Sequence, residues 1–170
     1  MRERAYINRI SQRGDSIYWL EENKNVLVAA ALVEHEFNID VDGINLINVG
    51  CFVSAKPGTM ERILDHIWQD IGQENIYTMC RPLLADSLGL VNHRRRLVKF
   101  TSDELMELYP ALAEQKTSYF NTSKQSIYQS MKINQCCFYI QLKPESVELL
   151  RTTNPKFIDE YESRLKDLEI

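Results

Sequence analysis

The chain has 170 residues, of which 44% are apolar and 26% charged, and its formal net charge is −4. That length suits one domain, or one with an added segment, and the composition is sufficient for a buried core. The acidic balance weighs against wholesale nucleic-acid binding, which needs a phosphate-neutralising surface, but leaves room for a local basic patch.

The chain opens on the charged stretch MRERAYINRI with no apolar segment behind it, and no run of about 18 apolar residues occurs that could span a bilayer. The expectation is a cytoplasmic protein without a membrane anchor. SIYWLE (16–21), the turn-rich ENKN and VLVAAALVEHEF (26–37) read as a hairpin. The run VAAAL is apolar throughout, which predicts a strand buried on both faces. NIDVDG makes a polar turn, and INLINVGCFV (44–53) reads as a third strand, apolar on both faces in its second half.

Lys56-Pro57-Gly58-Thr59 then hands over to the clearest element in the chain. Met60, Ile63, Leu64, Ile67, Trp68 and Ile71 form one apolar stripe at helical spacing, with Thr59 as expected N-cap and Gly72 as stop. NIYTMC (75–80) predicts a strand, and RPLLADSLGLVN a short helix running from Pro82 to Gly89. HRRRLVKF (93–100) reads as a strand with a basic start. Thr101 to Glu104 is a capping-box pattern, and Pro110 should break the helix it opens. A helix plus loop is expected before the last strand, QCCFYIQL (135–142). Two helical stretches follow, the second with Phe157, Ile158, Tyr161, Leu165 and Leu168 on one stripe.

This order predicts the α/β (α+β) class: a central mixed sheet of about six strands, flanking helices and a mainly helical C-terminal extension. The expected division is a domain over 1–142 with an inserted helical segment, 101–134, and an extension over 143–170. Cys51, Cys80, Cys136 and Cys137 contain no C-x-x-C pair. They read as buried small hydrophobes, so no metal site is expected.

Three stretches carry possible chemistry. The Lys56–Thr59 loop can place backbone amides and a lysine around a phosphate at the helix start; it can equally be a plain turn and cap. Glu34 and Glu36 share a strand face and could serve an amine as general base, or lie at a strand end that emerges into solvent. Arg94, Arg95 and Arg96 form a basic cluster. It could grip nucleic acid, a phosphorylated cofactor or an acidic partner, or form a solvated edge. His66 falls on the polar helix face and should be exposed. No G-x-x-x-x-G-K-[ST], H-E-x-x-H or G-x-S-x-G sequence is present, which weakens P-loop NTPase, zincin and α/β-hydrolase readings.

The order of elements from residue 16 to 100, with Leu88-Gly89-Leu90 after the short helix, resembles the GNAT superfamily of N-acetyltransferases. The resemblance implies acetyl-CoA as the acyl donor, lying along Val49, Cys51 and Val53, with its pyrophosphate at Lys56, Gly58 and Thr59. It implies Glu34 or Glu36 as base and a protein or small-molecule amine as substrate. The loop Ser54-Ala-Lys-Pro-Gly-Thr59 holds a single glycine where the family has two small residues. Ser87 is the only hydroxyl between 82 and 92, where the family supplies a tyrosine acid. The alternative is a non-catalytic interaction module, a reading that also fits a small viral or mobile-element protein. It would use the Arg94–Arg96 patch and the helical C-terminal region, with Tyr119, Phe120, Tyr128, Phe138 and Tyr139 as interface aromatics. Composition sets neither the substrate nor the oligomeric state.

Overall fold

Alternating burial identifies the second strand. The computed structural model describes residues 3–12, 14–23, 25–35, 40–91, 95–114 and 127–168. Along β2 (Ser16–Glu22), Ser16, Tyr18, Leu20 and Glu22 are buried while Ile17 is exposed and Trp19 and Glu21 are half-buried. It pairs antiparallel with β1 (Glu3–Arg9) on one side and β3 (Val26–Glu34) on the other. The predicted hairpin of β2 and β3 is present. A small hairpin, β4 (Asp40–Val41) and β5 (Ile44–Asn45), replaces the expected polar turn. After it, β6 (Ile47–Ser54) runs antiparallel to β3.

The chain divides into two compact units, residues 1–36 with 47–74, and residues 37–46 with 75–170. In the first unit, α1 (Thr59–Ile71) lays Ile63, Leu64, Ile67 and Ile71 on one face of the four-stranded sheet. Tyr18, Leu20, Ala29, Ala31, Val33 and Val49 are among the buried side chains of those strands. Burying aliphatic side chains of this size contributes about 1.5–3 kcal/mol each, which is why the stripe decides the helix.

Two expectations about these strands need correction. In β3 only one face is fully buried beyond Ala29, because Ala30 and Leu32 stay half-exposed. In β6 the buried half is Ile47–Gly50, whereas Cys51, Val53 and Ser54 are exposed. A β-bulge causes the change. Ala30 pairs with Val53 and Leu32 with Gly50, so two residues of β6 oppose one of β3, and Cys51 takes a φ of 54°.

In the second unit, β9 (Cys137–Gln141) lies between β7 (Ile76–Cys80) and β8 (Val98–Phe100), antiparallel to both. Between β7 and β8, α2 (Pro82–Leu88) starts on proline and ends at Gly89 in the left-handed region, φ 68°, as its sequence predicts. Of the strand expected over 93–100, the described residues 95–100 pair only at Val98–Phe100, and Arg96, with φ 59°, breaks the extended backbone.

The capping box is present on α3 (Ser102–Leu108), with Glu104 N–H donating to Thr101 Oγ1 at 3.2 Å and Thr101 N–H to Glu104 Oε2 at 3.0 Å. Pro110 opens a 3-10 helix, Pro110–Glu114. The helices α4 (Ile127–Ile133), α5 (Pro144–Thr153) and α6 (Pro155–Asp167) complete the unit. Residues expected in a C-terminal extension supply Leu150, Phe157, Ile158 and Tyr161 to the core built around Tyr77, Phe100, Phe138 and Ile140. The chain is therefore of the α/β class. No helix among the described residues is long and apolar enough to cross a membrane.

Candidate functional site

The loop between β6 and α1 is held from within. Ser54 Oγ and Thr59 Oγ1 sit 2.7 Å apart, and each reaches the Lys56 carbonyl, at 2.9 and 2.6 Å. Thr59 Oγ1 also lies 3.2 Å from the Val28 carbonyl of β3, which accepts the Ala55 N–H at 2.9 Å. Thr59 is thus a buried anchor and the first residue of α1, not its N-cap. The cap position belongs to Gly58, which has a φ of 81° and whose place is open to glycine alone without strain. No side-chain hydrogen bond caps the helix there.

Lys56, expected to add positive charge for a phosphate, reaches back to β2. Its Nζ is 3.0 Å from the Glu22 carboxylate, whose side chain is 7% exposed. Arg62 of α1 shares that carboxylate at 3.2 Å and also pairs with Glu3. An otherwise costly buried carboxylate is thereby neutralised by two cations. What the loop offers an anion is its backbone and the positive end of a 13-residue helix dipole.

At the far end of the same ladder, Glu34 is half-buried and accepts from Asn48 Nδ2 at 3.0 Å. Asn48 is buried, and its Oδ1 has no hydrogen-bond partner. The Cys51 thiol is held above its ordinary range, first by partial desolvation of its sulfur and then by the charge of Glu34. The structure therefore brings Glu34 and Cys51 into one electrostatic neighbourhood. Lys56, Gly58 and Thr59 share the loop. Val49 faces the core opposite Val33, and Val53 is 62% exposed. Ser87, the hydroxyl of α2, donates to the Leu84 carbonyl. Glu36 and Arg94 lie outside the described residues. Arg95 is only 6% exposed and Arg96 is half-buried, so neither presents its charge on an open strand face.

A polar cleft in the first unit escaped sequence reasoning. Ile7, Arg9, Tyr18, His66, Gln69 and Asp70 line a cavity of about 310 Å³. A second cavity continues past Arg9 and Asp70 to His35, Ile47, Ile71 and Glu74. The Tyr18 hydroxyl donates to Asp70, and His66 meets the Tyr18 ring edge-on, so His66 is half-buried where the helical pattern predicts exposure. Burial, then the hydrogen bond and charge of Asp70, hold the Tyr18 phenol well above its usual range, with Arg9 opposing. These residues come from 7–18, 35–47 and 66–74, and no local pattern links them.

The cysteines separate. Cys80 and Cys137 are buried as expected, Cys136 is half-buried and Cys51 exposed; all four are free thiols. Among the described residues no group of three or more His, Cys, Asp and Glu side chains is placed to hold a metal ion. No protein family, curated protein or solved structure matches the chain.

Proposed function

We propose that this chain binds an acyl-CoA along β6 and transfers the acyl group to an amine. One observation carries the reading: a bulged strand whose exposed half, from Cys51 onward, leads to a helix N-terminus that no side chain caps. The loop backbone and the dipole of α1 would hold the donor's phosphates, since Lys56 and Arg62 are committed to Glu22. At the rise of an extended strand, Glu34 stands roughly 20 Å along β3 from Val28, whose carbonyl meets the loop. An extended donor spans that distance. Glu34 would take the proton of the attacking amine as its nitrogen bonds to the thioester carbonyl, and the donor's sulfur would leave with the acyl carbon–sulfur electrons as a thiolate, which takes up a proton from water.

Calorimetry with acetyl-CoA tests binding, and a thiol-release assay with a polyamine acceptor tests transfer. Binding in the micromolar range, with Glu34→Gln retaining it and losing thiol release, supports the reading. No heat at millimolar acetyl-CoA refutes it.

A further inference from the structure

β1 is the outer strand of the first unit's sheet and pairs with β2 alone in that unit. Its seven residues, Glu3-Arg-Ala-Tyr-Ile-Asn-Arg9, keep register with β2 from end to end without a bulge, and Tyr6 alone among them is half-buried while the others are exposed. Natural sheets blunt such an edge with charged side chains, proline, a bulge or a short strand. β1 has no proline, bulge or lysine; its charges are Glu3, Arg4 and Arg9. Beyond its ladder, its backbone meets one side chain among the described residues, His66, whose Nε2 is 3.3 Å from the Tyr6 carbonyl oxygen.

We infer that β1 pairs antiparallel with β1 of a second copy of this chain, about a two-fold axis that places Tyr6 opposite Tyr6. The charge pattern selects this register. A two-fold axis through a strand edge pairs residues of like orientation, so the possible registers differ by steps of two residues. With Tyr6 at the axis all seven residues are paired, Glu3 stands opposite Arg9 of the second copy at both ends, and Arg4 stands opposite Asn8. A shift of one step either way leaves two residues unpaired and sets Arg9 opposite Ala5 or Glu3 opposite Ile7.

Glu3 and Arg9 have the same parity along β1 and lie on the α1 side: Glu3 pairs with Arg62 of α1, and Arg9 lines the cleft with His66 and Asp70. The Arg9 guanidinium has no ion pair among the described residues. On the other face the Tyr6 ring stacks on Trp19, centroids 5.2 Å apart and planes 13° from parallel. Pairing at Tyr6 would extend that stack into a four-ring ladder across the axis. The contact is the same patch on both copies, so it closes as a dimer and leaves no further edge at β1.

Sedimentation and cysteine cross-linking test this. The wild-type chain is expected to sediment as a concentration-dependent dimer below ~100 μM. Glu3→Arg and Arg9→Glu should each weaken the dimer by roughly tenfold, since each sets like charges opposite one another at two places, and the double exchange should recover most of that loss. In a Cys51→Ser background, a mixture of Arg4→Cys and Asn8→Cys chains should cross-link between copies, while neither chain alone does so. A wild-type monomer at 100 μM overturns the proposal, as do charge reversals without effect in folded protein. Asn8→Cys chains that cross-link alone as readily as the mixture overturn the register.

Discussion

Tyr161→Phe and Tyr128→Phe delete the same oxygen from two buried rings of the second unit, yet they should differ in cost. The Tyr161 hydroxyl oxygen accepts the Leu142 N–H at 2.9 Å in a buried setting where β9 ends and α6 packs. Without it that amide has no acceptor. An orphaned buried donor costs about 1–3 kcal/mol. Tyr128 works in the opposite sense, donating to the carbonyls of Leu105 and Tyr109 at 3.1 and 2.6 Å. Both carbonyls keep a second partner, the Tyr109 N–H at 2.7 Å and the Leu112 N–H at 3.1 Å. Tyr128→Phe therefore loses only the net worth of a satisfied hydrogen bond, about 1 kcal/mol. For a chain of this length each kcal/mol moves Tm by about 2–4 °C. Urea unfolding followed by far-UV circular dichroism, with the slope unchanged, measures both costs. Hydrogen exchange at the Leu142 amide reads the local event. The reasoning fails if Tyr128→Phe costs as much as Tyr161→Phe, or if the Leu142 amide exchanges at the wild-type rate in Tyr161→Phe.

Glu104→Gln keeps a side chain able to complete the capping box but removes the charge that Arg164 contacts. Desolvation pushes the Glu104 carboxyl up, but the Arg164 and Thr101 hydrogen bonds outweigh it and leave it below its ordinary value of 4.5. A lowered carboxyl stabilises the fold above its unfolded pKa and loses that contribution as pH falls through the folded one. The variant should be less stable at pH 7 by about 0.2–1 kcal/mol, and the gap should close below pH 4.5 in thermal melts. Gly58→Ala meets only the tip of Arg62, at 3.6 Å, so its cost is the left-handed backbone rather than a clash. About 1–2 kcal/mol is expected by denaturant titration, and a neutral result would mean that the loop relaxes. Thiol labelling at pH 8 should modify Cys51 first and Cys80 last, since Cys80 is buried and its thiol is pushed up to about 12. Glu34→Gln should speed labelling at Cys51 by lifting the carboxylate's hold; an unchanged rate would separate the two residues.

Elements with short-range causes were legible in the linear chain. The stripe of α1, the Pro82 start and Gly89 stop of α2, and the Thr101–Glu104 box each depend on groups within a few turns of one another, and all three form as the residue spacing dictates. β1 had no such signal: its residues lack alternation, and only the ladder with β2 makes it a strand. The reverse happened at 95–97, where residues written like a strand find no ladder among the described residues. The candidate site followed the same rule. Gly58 and Thr59 could be placed at a helix start from sequence, but the roles of the charged residues could not. Lys56 meets Glu22 across 34 positions, and Tyr18 meets Asp70 across 52. Periodicity and capping are local free energies, carried by the residues that display them. The pairing of a cation with a buried carboxylate belongs to two distant segments at once, and only the packed chain decides which segments meet.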